Sequence, residues 1–249
     1  MKVASSDSLY IGGNNVKRFL TYSAAVASLS LFLTGCSGNN DKKTSDAHAQ
    51  TQQQHSKEAS TSKDIKINKE KLSDQAHENM KKEVLDWADK RAKQKGLAVS
   101  NRYFGAGEIS SGDWYAMTPK GELQVSNQGS PGPKAFDRHN LVGVVMYKSK
   151  NGTTGFDSKA KSLTNIESYQ NVADLNQPVT KYLFADDGNV YEYIFKPNEK
   201  VTLSSGFAPK DHNDKDPNLK PDHAFSLSED ESADETMQRI VKQYGMQSK

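Results

Sequence analysis

The chain predicts an α+β fold in which an antiparallel sheet is covered by an N-terminal and a C-terminal helix. Apolar residues recur at three- and four-residue steps from Leu72 to Ala88 and again from Ala233 to Tyr244, the spacing of two amphipathic helices. Between these stripes lie short apolar runs punctuated by Gly, Pro, Asn and Asp, the texture of strands and tight turns. Strands do not alternate with long helices, which excludes a doubly wound parallel sheet. One domain spanning 67–245 suits the length.

The first helix is expected to start at Asn68 as N-cap, with Ile67 and Leu72 closing a hydrophobic staple. Leu72, Ala76, Met80, Val84, Trp87 and Ala88 form its apolar stripe, and Gly96 stops it. Its polar face alternates in sign and offers i,i+4 pairs such as Asp86–Lys90. Such a helix could lie on a membrane, but Trp87 in mid-stripe favours packing on the sheet. Strands are expected at Asp113–Met117 and Glu122–Val125, around the turn Thr118-Pro119-Lys120-Gly121. The stretch Asn127–Asn140 carries Gly129, Pro131, Gly132 and Pro133 and reads as a loop. Leu141–Tyr147 is continuously apolar and reads as the central strand. Leu163, Ile166, Tyr169 and Val172 predict a short helix.

Pro178–Asp186 and Asn189–Phe195 flank Asp187-Gly188, the composition of a two-residue type I′ hairpin turn. That register sets Phe184 opposite Tyr191 and Tyr182 opposite Tyr193. One face then carries Tyr182, Phe184, Tyr191, Tyr193 and Phe195 together, either as core beneath a helix or as a candidate binding surface. Leu183, Ala185, Val190 and Ile194 share the other face, with Glu192 as its misfit. Val201–Leu203 is expected to add a strand. The last helix is expected to open on a capping box of Ser228 and Glu231, bury Ala233, Met237, Ile240, Val241 and Tyr244, and end at Gly245.

Ahead of this domain, Lys17 and Arg18 precede a run with no charge from Phe19 to Thr34. These sixteen residues are short of the about 20 that a spanning helix needs. A basic start before a short apolar run is the pattern of a secretory signal. The run ends in Leu33-Thr34-Gly35-Cys36 and holds the chain's only cysteine at its close. This resembles the lipobox of bacterial lipoproteins. The resemblance implies that the Cys36 thiol receives diacylglycerol, that signal peptidase II removes 1–35, and that Cys36 becomes the first mature residue. Residues 1–15 are mostly polar and delay the basic pair, so two starts fit, Met1 and codon 16.

Residues 36–66 read as a lipidated flexible tether, because Ser, Thr, Asn, Gln, Asp and Lys dominate them and Ile65 is their one large aliphatic. Thirty such residues reach roughly 30 Å. Removing 1–35 leaves 30 basic and 30 acidic groups, so attachment is expected from lipid and not from a polybasic patch. This charge balance also argues against a nucleic-acid partner. A single cysteine excludes internal disulfides and multi-cysteine metal clusters.

Candidate chemistry is sparse. Asp211, Asp214 and Asp216 are weak candidates for a metal site, since neither register through them fits an EF-hand loop. His139, His212 and His223 lack the spacing of a zinc motif. Ser110-Ser111-Gly112 and Ser204-Ser205-Gly206 lack a nucleophile elbow, and Ser158-Lys159-Ala160-Lys161 lacks the partners of a Ser-x-x-Lys enzyme. Gly105-Ala106-Gly107 lacks the rest of a dinucleotide fingerprint. No catalytic residue and no cofactor is expected.

The LTGC motif at 33–36, the polar tether, Trp87 in the first helix and the YLFADDGNVYEYIF hairpin at 182–195 are similar to features of small cell-surface lipoproteins of lactobacilli and their relatives. The expectation is a lipid-anchored protein on the outer face of a Gram-positive cytoplasmic membrane, with a non-catalytic binding or interaction domain. Its partners would be the membrane, through the lipid on Cys36, and a cell-wall glycan, a peptide or a surface protein. Two alternatives stand: a substrate-capture lipoprotein serving a transporter, which a concave pocket would favour, and a cell-wall hydrolase or inhibitor.

Overall fold

The computed structural model describes residues 66–106, 112–210 and 219–245. Cys36 with its lipobox, and Asp211, His212, Asp214 and Asp216, lie outside the described residues. The fold is α+β. Nine strands join in one sheet: β1 Ala98–Ser100, β2 Trp114–Thr118, β3 Gly121–Ser126, β4 Arg138–Tyr147, β5 Gly155–Phe156, β6 Val179–Ala185, β7 Val190–Phe195, β8 Ala208–Pro209 and β9 Ser226–Leu227. Two helices, α1 Asp74–Lys95 and α2 Glu231–Tyr244, precede and follow them.

The sheet is mixed and not purely antiparallel as expected. Its main path runs β8-β2-β3-β4-β6-β7-β9. β3 pairs in parallel with the start of β4, and β1 pairs in parallel with β5. The reason lies in the 127–137 loop, which carries the chain back along β3, so that β4 starts at Arg138 beside Leu123. β4 is the central strand that its apolar run predicts. It pairs with β6 along one edge, and with β3 and β1 in turn along the other.

The β6–β7 register differs by one residue from the expected one. Phe184 faces Val190, Leu183 faces Tyr191 and Tyr182 faces Glu192. The turn takes three residues, Asp186-Asp187-Gly188. Gly188 N donates to Ala185 O at 3.1 Å and Ala185 N to Asn189 O at 3.0 Å, with Gly188 left-handed at φ 78°. This is a type I turn closed by a glycine bulge. Because side chains alternate, one residue of slip redistributes the faces. Tyr182 and Phe184 stay on the helix side, whereas Tyr191, Tyr193 and Phe195 turn to the opposite one.

The helix side packs Val142, Val144, Tyr182 and Phe184 against Met80, Val84, Trp87 and Ala88 of α1 and Met237 and Ile240 of α2. Trp87 stands edge-on to Tyr182 at 5.6 Å and to Phe184 at 5.2 Å, and its indole N–H donates to Ser232 Oγ at 3.0 Å. Helix α1 begins later than expected. Ser73 is its N-cap, accepting from Ala76 N at 3.2 Å, because Asn68 opens only a single 3-10 turn, Lys69–Lys71. Gly96 closes α1 in the left-handed conformation, stopping the helix where predicted, and its polar face carries the ion pairs Asp89–Lys93 and Glu78–Lys81.

Helix α2 is capped by Asp230, which accepts from Ser232 N, and not by a Ser228–Glu231 box. Ser228 instead donates to Glu192 Oε2 at 2.9 Å, and Glu229 N donates to Oε1 at 3.2 Å. The expected misfit Glu192 thus receives the chain entering α2. The predicted stripe from Ala233 to Val241 is buried.

The other sheet face is covered by loops. Leu163, Tyr169, Val172, Val201 and Leu203 pack on Val145, Tyr147 and Phe195, while Trp114, Phe207 and Phe225 pack on Leu183 and Tyr191. The predicted 163–172 helix is replaced by the 3-10 turns Ser158–Ser162 and Tyr169–Asn171, leaving Ile166 83% exposed. Val201–Leu203 is not a strand, because carbonyls there turn to a buried cation. The Lys181 Nζ donates to Thr202 O at 3.0 Å, Leu203 O at 3.1 Å and Ser205 O at 2.7 Å.

Candidate functional site

The strand register builds the site. Asn140 of β4 pairs with Ala185 of β6, so the two residues before Asn140 meet the two after Ala185. Two cation–anion pairs result. His139 N and Nδ1 donate to Asp186 Oδ1 at 2.9 Å and Oδ2 at 2.7 Å, and Asp186 N donates back to His139 O at 2.9 Å. Beyond them Arg138 Nε lies 3.2 Å from Asp187 Oδ2, an ion pair without the angle of a hydrogen bond. Asp187 Oδ2 also accepts from Tyr191 Oη at 2.6 Å.

The second ring nitrogen of His139, Nε2, faces Pro133 O at 2.9 Å. Both ring nitrogens therefore point at acceptors, an arrangement that only the imidazolium satisfies. Accordingly, its pKa is raised above the usual histidine value, chiefly by the hydrogen bond to Asp186. Partial burial opposes that shift and the Pro133 carbonyl adds to it.

Above this pair lies a pocket of about 560 Å³. Its near wall is the strap Lys66–Leu72, which enters α1. Ile67 is buried and its N–H donates to Asp186 O at 2.8 Å, so the same residue that orients His139 also fastens the strap. Lys69 reaches in from the strap and donates to Asn140 O at 3.3 Å. Burial lowers its pKa, and the nearby Asp186 charge partly restores it. Leu72, Pro133 and Phe136 give the pocket apolar lining, and Gln124 of β3 joins it. Gln124 is itself oriented by Asp113, to whose carboxylate it donates at 3.1 Å; the same carboxylate accepts from Gln128 N and Gly132 N and so shapes the 127–137 loop.

The residues singled out from the sequence fall elsewhere. The aromatic hairpin does not form one exposed platform, because the register slip splits its five rings between two faces. Tyr182, Phe184, Tyr191 and Phe195 are buried and Tyr193 is half-buried. His139 and His223 are not brought together. His223 Nε2 lies 2.6 Å from Glu199 Oε1, and its ring sits tilted against that of Tyr193, 4.6 Å between centres. Among the described residues no group of three His, Cys, Asp or Glu side chains is placed to hold a metal ion. Ser204 and Ser205 hydroxyls engage Thr202 in a local turn.

Sequence reasoning reached His139 only as a histidine without the spacing of a zinc motif and Asp186 only as the end of a strand, and it did not single out Lys69. One signal could have found them. A strand opening on Arg-His and a hairpin turning on Asp-Asp have complementary charge, and they meet as soon as β4 and β6 are paired. No family model matches the chain, and it has no significant match among curated proteins or solved structures.

Proposed function

We propose that this is a lipid-anchored protein of the outer face of the cytoplasmic membrane, whose domain binds a small ligand in the strap pocket without converting it chemically. The observation that carries the binding role is the pocket itself. At about 560 Å³ it has the volume of a small-molecule site, and it joins apolar walls to a few convergent polar groups. Of the roles weighed from the sequence, ligand capture is the one a concave pocket favours. His139 supports binding over catalysis, because both its ring nitrogens are engaged by fixed acceptors and neither is free to act as general base. The lipid anchor rests on the LTGC resemblance and on the polar tether ahead of the strap.

The test is a small-molecule fragment screen by NMR on the protein and on Leu72→Trp, which puts an indole on the pocket lining to plug it. Fragments should shift the His139 ring and Phe136 signals in the parent and not in the plugged variant. A screen that moves neither signal, or shifts that persist unchanged in Leu72→Trp, would overturn the binding reading.

A further inference from the structure

We infer that the strap pocket selects a small organic carboxylate on an apolar body, with the Lys69 ammonium as its counter-ion. This rests on the ligand-binding reading above and names the chemical class of the ligand.

The argument starts from unspent hydrogen-bonding capacity. An ammonium carries three N–H donors. Lys69 uses one of them, in a long 3.3 Å bond to Asn140 O. Among the described residues it makes no ion pair, because the nearest carboxylate is already committed: Asp186 Oδ1 and Oδ2 accept from His139 N and Nδ1. Asp74, the other carboxylate at the pocket, is solvent-exposed in the first turn of α1. Lys69 is therefore a partly dehydrated cation with two free donors beside a cavity. Withdrawing a charge from water is costly unless a counter-charge replaces the solvent. A carboxylate does so, whereas an amine adds a second unpaired cation and an amide supplies no charge.

The walls define the rest of the ligand. Leu72, Pro133 and Phe136 present apolar surface within reach of the same cavity, so an acid with a ring or short chain buries area that a bare anion would not. Lys66 and Lys134 at the pocket add positive potential that would steer an anion in.

Three matched probes test this on the full chain by calorimetry, with the His139 ring signals reporting where they bind: phenylacetate, phenylacetamide and phenethylamine. Phenylacetate should bind on the order of tenfold more tightly than the amide, and the amine least. Lys69→Met should erase the preference for acid over amide, and Lys69→Arg should keep it. Equal affinity for acid and amide, a preference for the amine, or an acid preference intact in folded Lys69→Met would each overturn the carboxylate assignment. The first two comparisons need no variant. Binding of the amide or amine with movement of the His139 signals would leave the pocket reading standing. If none of the probes and no fragment moves those signals, both readings fall.

Discussion

The Lys181 ammonium lies 4.6 Å from the centre of the Phe207 ring while donating to three backbone carbonyls of the 202–205 turn. Phe195 and Tyr169 close the box at 5.5 and 5.7 Å. This cation works as an internal bolt: it satisfies carbonyls that no strand pairs, and it fixes the 202–205 turn against β6. The slipped register turns Tyr193 and Phe195 of β7 to the side of the sheet on which this lysine stands. Position 181 faces Tyr193 on the loop-covered side of the sheet, in line with Leu183 and Ala185.

Lys181→Met should therefore cost about 3 kcal/mol, since the methionine fills the space but leaves three carbonyls without donors. The pH dependence has a defined sign. Burial drives the Lys181 pKa well below its ordinary value, with the Asp222 charge opposing. Between that folded value and the unfolded value near ~10.4 the unfolded chain binds the extra proton, so stability rises with pH. Urea unfolding at several pH values below 10 should show the parent gaining on Lys181→Met as pH increases. Parallel curves would contradict it.

Asp230 links the two helices and should govern acid stability. Its Oδ2 accepts from Arg91 Nε at 2.8 Å and Lys95 Nζ at 2.9 Å, and its Oδ1 caps α2. Burial would raise its pKa, but hydrogen bonds from Arg91, Lys95 and Ser232 outweigh that and hold it well below the usual carboxylate range. For a depressed acid the stabilisation is present above the unfolded pKa of about 3.9 and is lost as pH falls through the folded value. Asp230→Asn should cost about 1–3 kcal/mol at neutral pH, and the deficit should vanish towards the acid limit of the unfolding titration. A deficit that stays constant with pH would refute the charge-based account.

His139 should respond in the opposite direction. Its raised pKa means that its contribution is complete below the unfolded value of about 6.5 and fades as pH rises through the folded value. His139→Asn should thus be most destabilising in mildly acidic solution, by about 1.5–3 kcal/mol, with the gap to the parent narrowing under alkaline conditions. Ile67 N donates to the main-chain carbonyl of Asp186, which Asp186→Asn retains, so that variant should weaken the hold on His139 and leave the amide exchange of Ile67 unchanged.

The architecture was legible where burial is repeated along one element, and obscure where a single residue decides. The stripes of α1 and α2 and the apolar run of β4 carry their periodicity over several turns or pairs, so their existence followed directly. The β6–β7 register depended on whether Asp186 joined the strand or the turn, a choice worth a fraction of the hairpin's energy that reverses which rings are covered together. The caps failed for the same reason: Ser73 and Asp230 compete locally with Asn68 and Ser228, and long-range partners decide, Asp186 for the strap and Glu192 for Ser228. The pocket was invisible because its parts, Lys69, Phe136 with His139, and Asp186, come from three separated segments.

The lipid anchor makes its own prediction. If Cys36 carries the lipid that the LTGC sequence implies, Cys36→Ser should abolish labelling with palmitate in a Gram-positive host and leave the 1–35 segment uncut. Label retained by Cys36→Ser would remove the anchor from the proposal while leaving the pocket untouched.

Gly143 and Tyr103 offer the sharpest test of the sheet's packing. Gly143 interrupts the apolar run of β4, and a Cβ built on it would overlap the ring of Tyr103. In the amide orientation that satisfies both its ends, Asn140 accepts from Tyr103 Oη at 2.7 Å and donates to Val142 O and Phe184 O, so the ring is also held by its hydroxyl at the irregular step between Asn140 and Val142. A ring pinned in this way cannot slide off an added methyl. Gly143→Ala alone should cost about 1–3 kcal/mol by overpacking. Tyr103→Ala alone should cost about 3–5 kcal/mol through lost burial. In the double variant the methyl meets no ring, so the two losses should fall short of additivity by about 1 kcal/mol or more in denaturant unfolding. Additive losses would mean that β4 shifts to relieve the overlap and that Tyr103 is not the residue requiring glycine there.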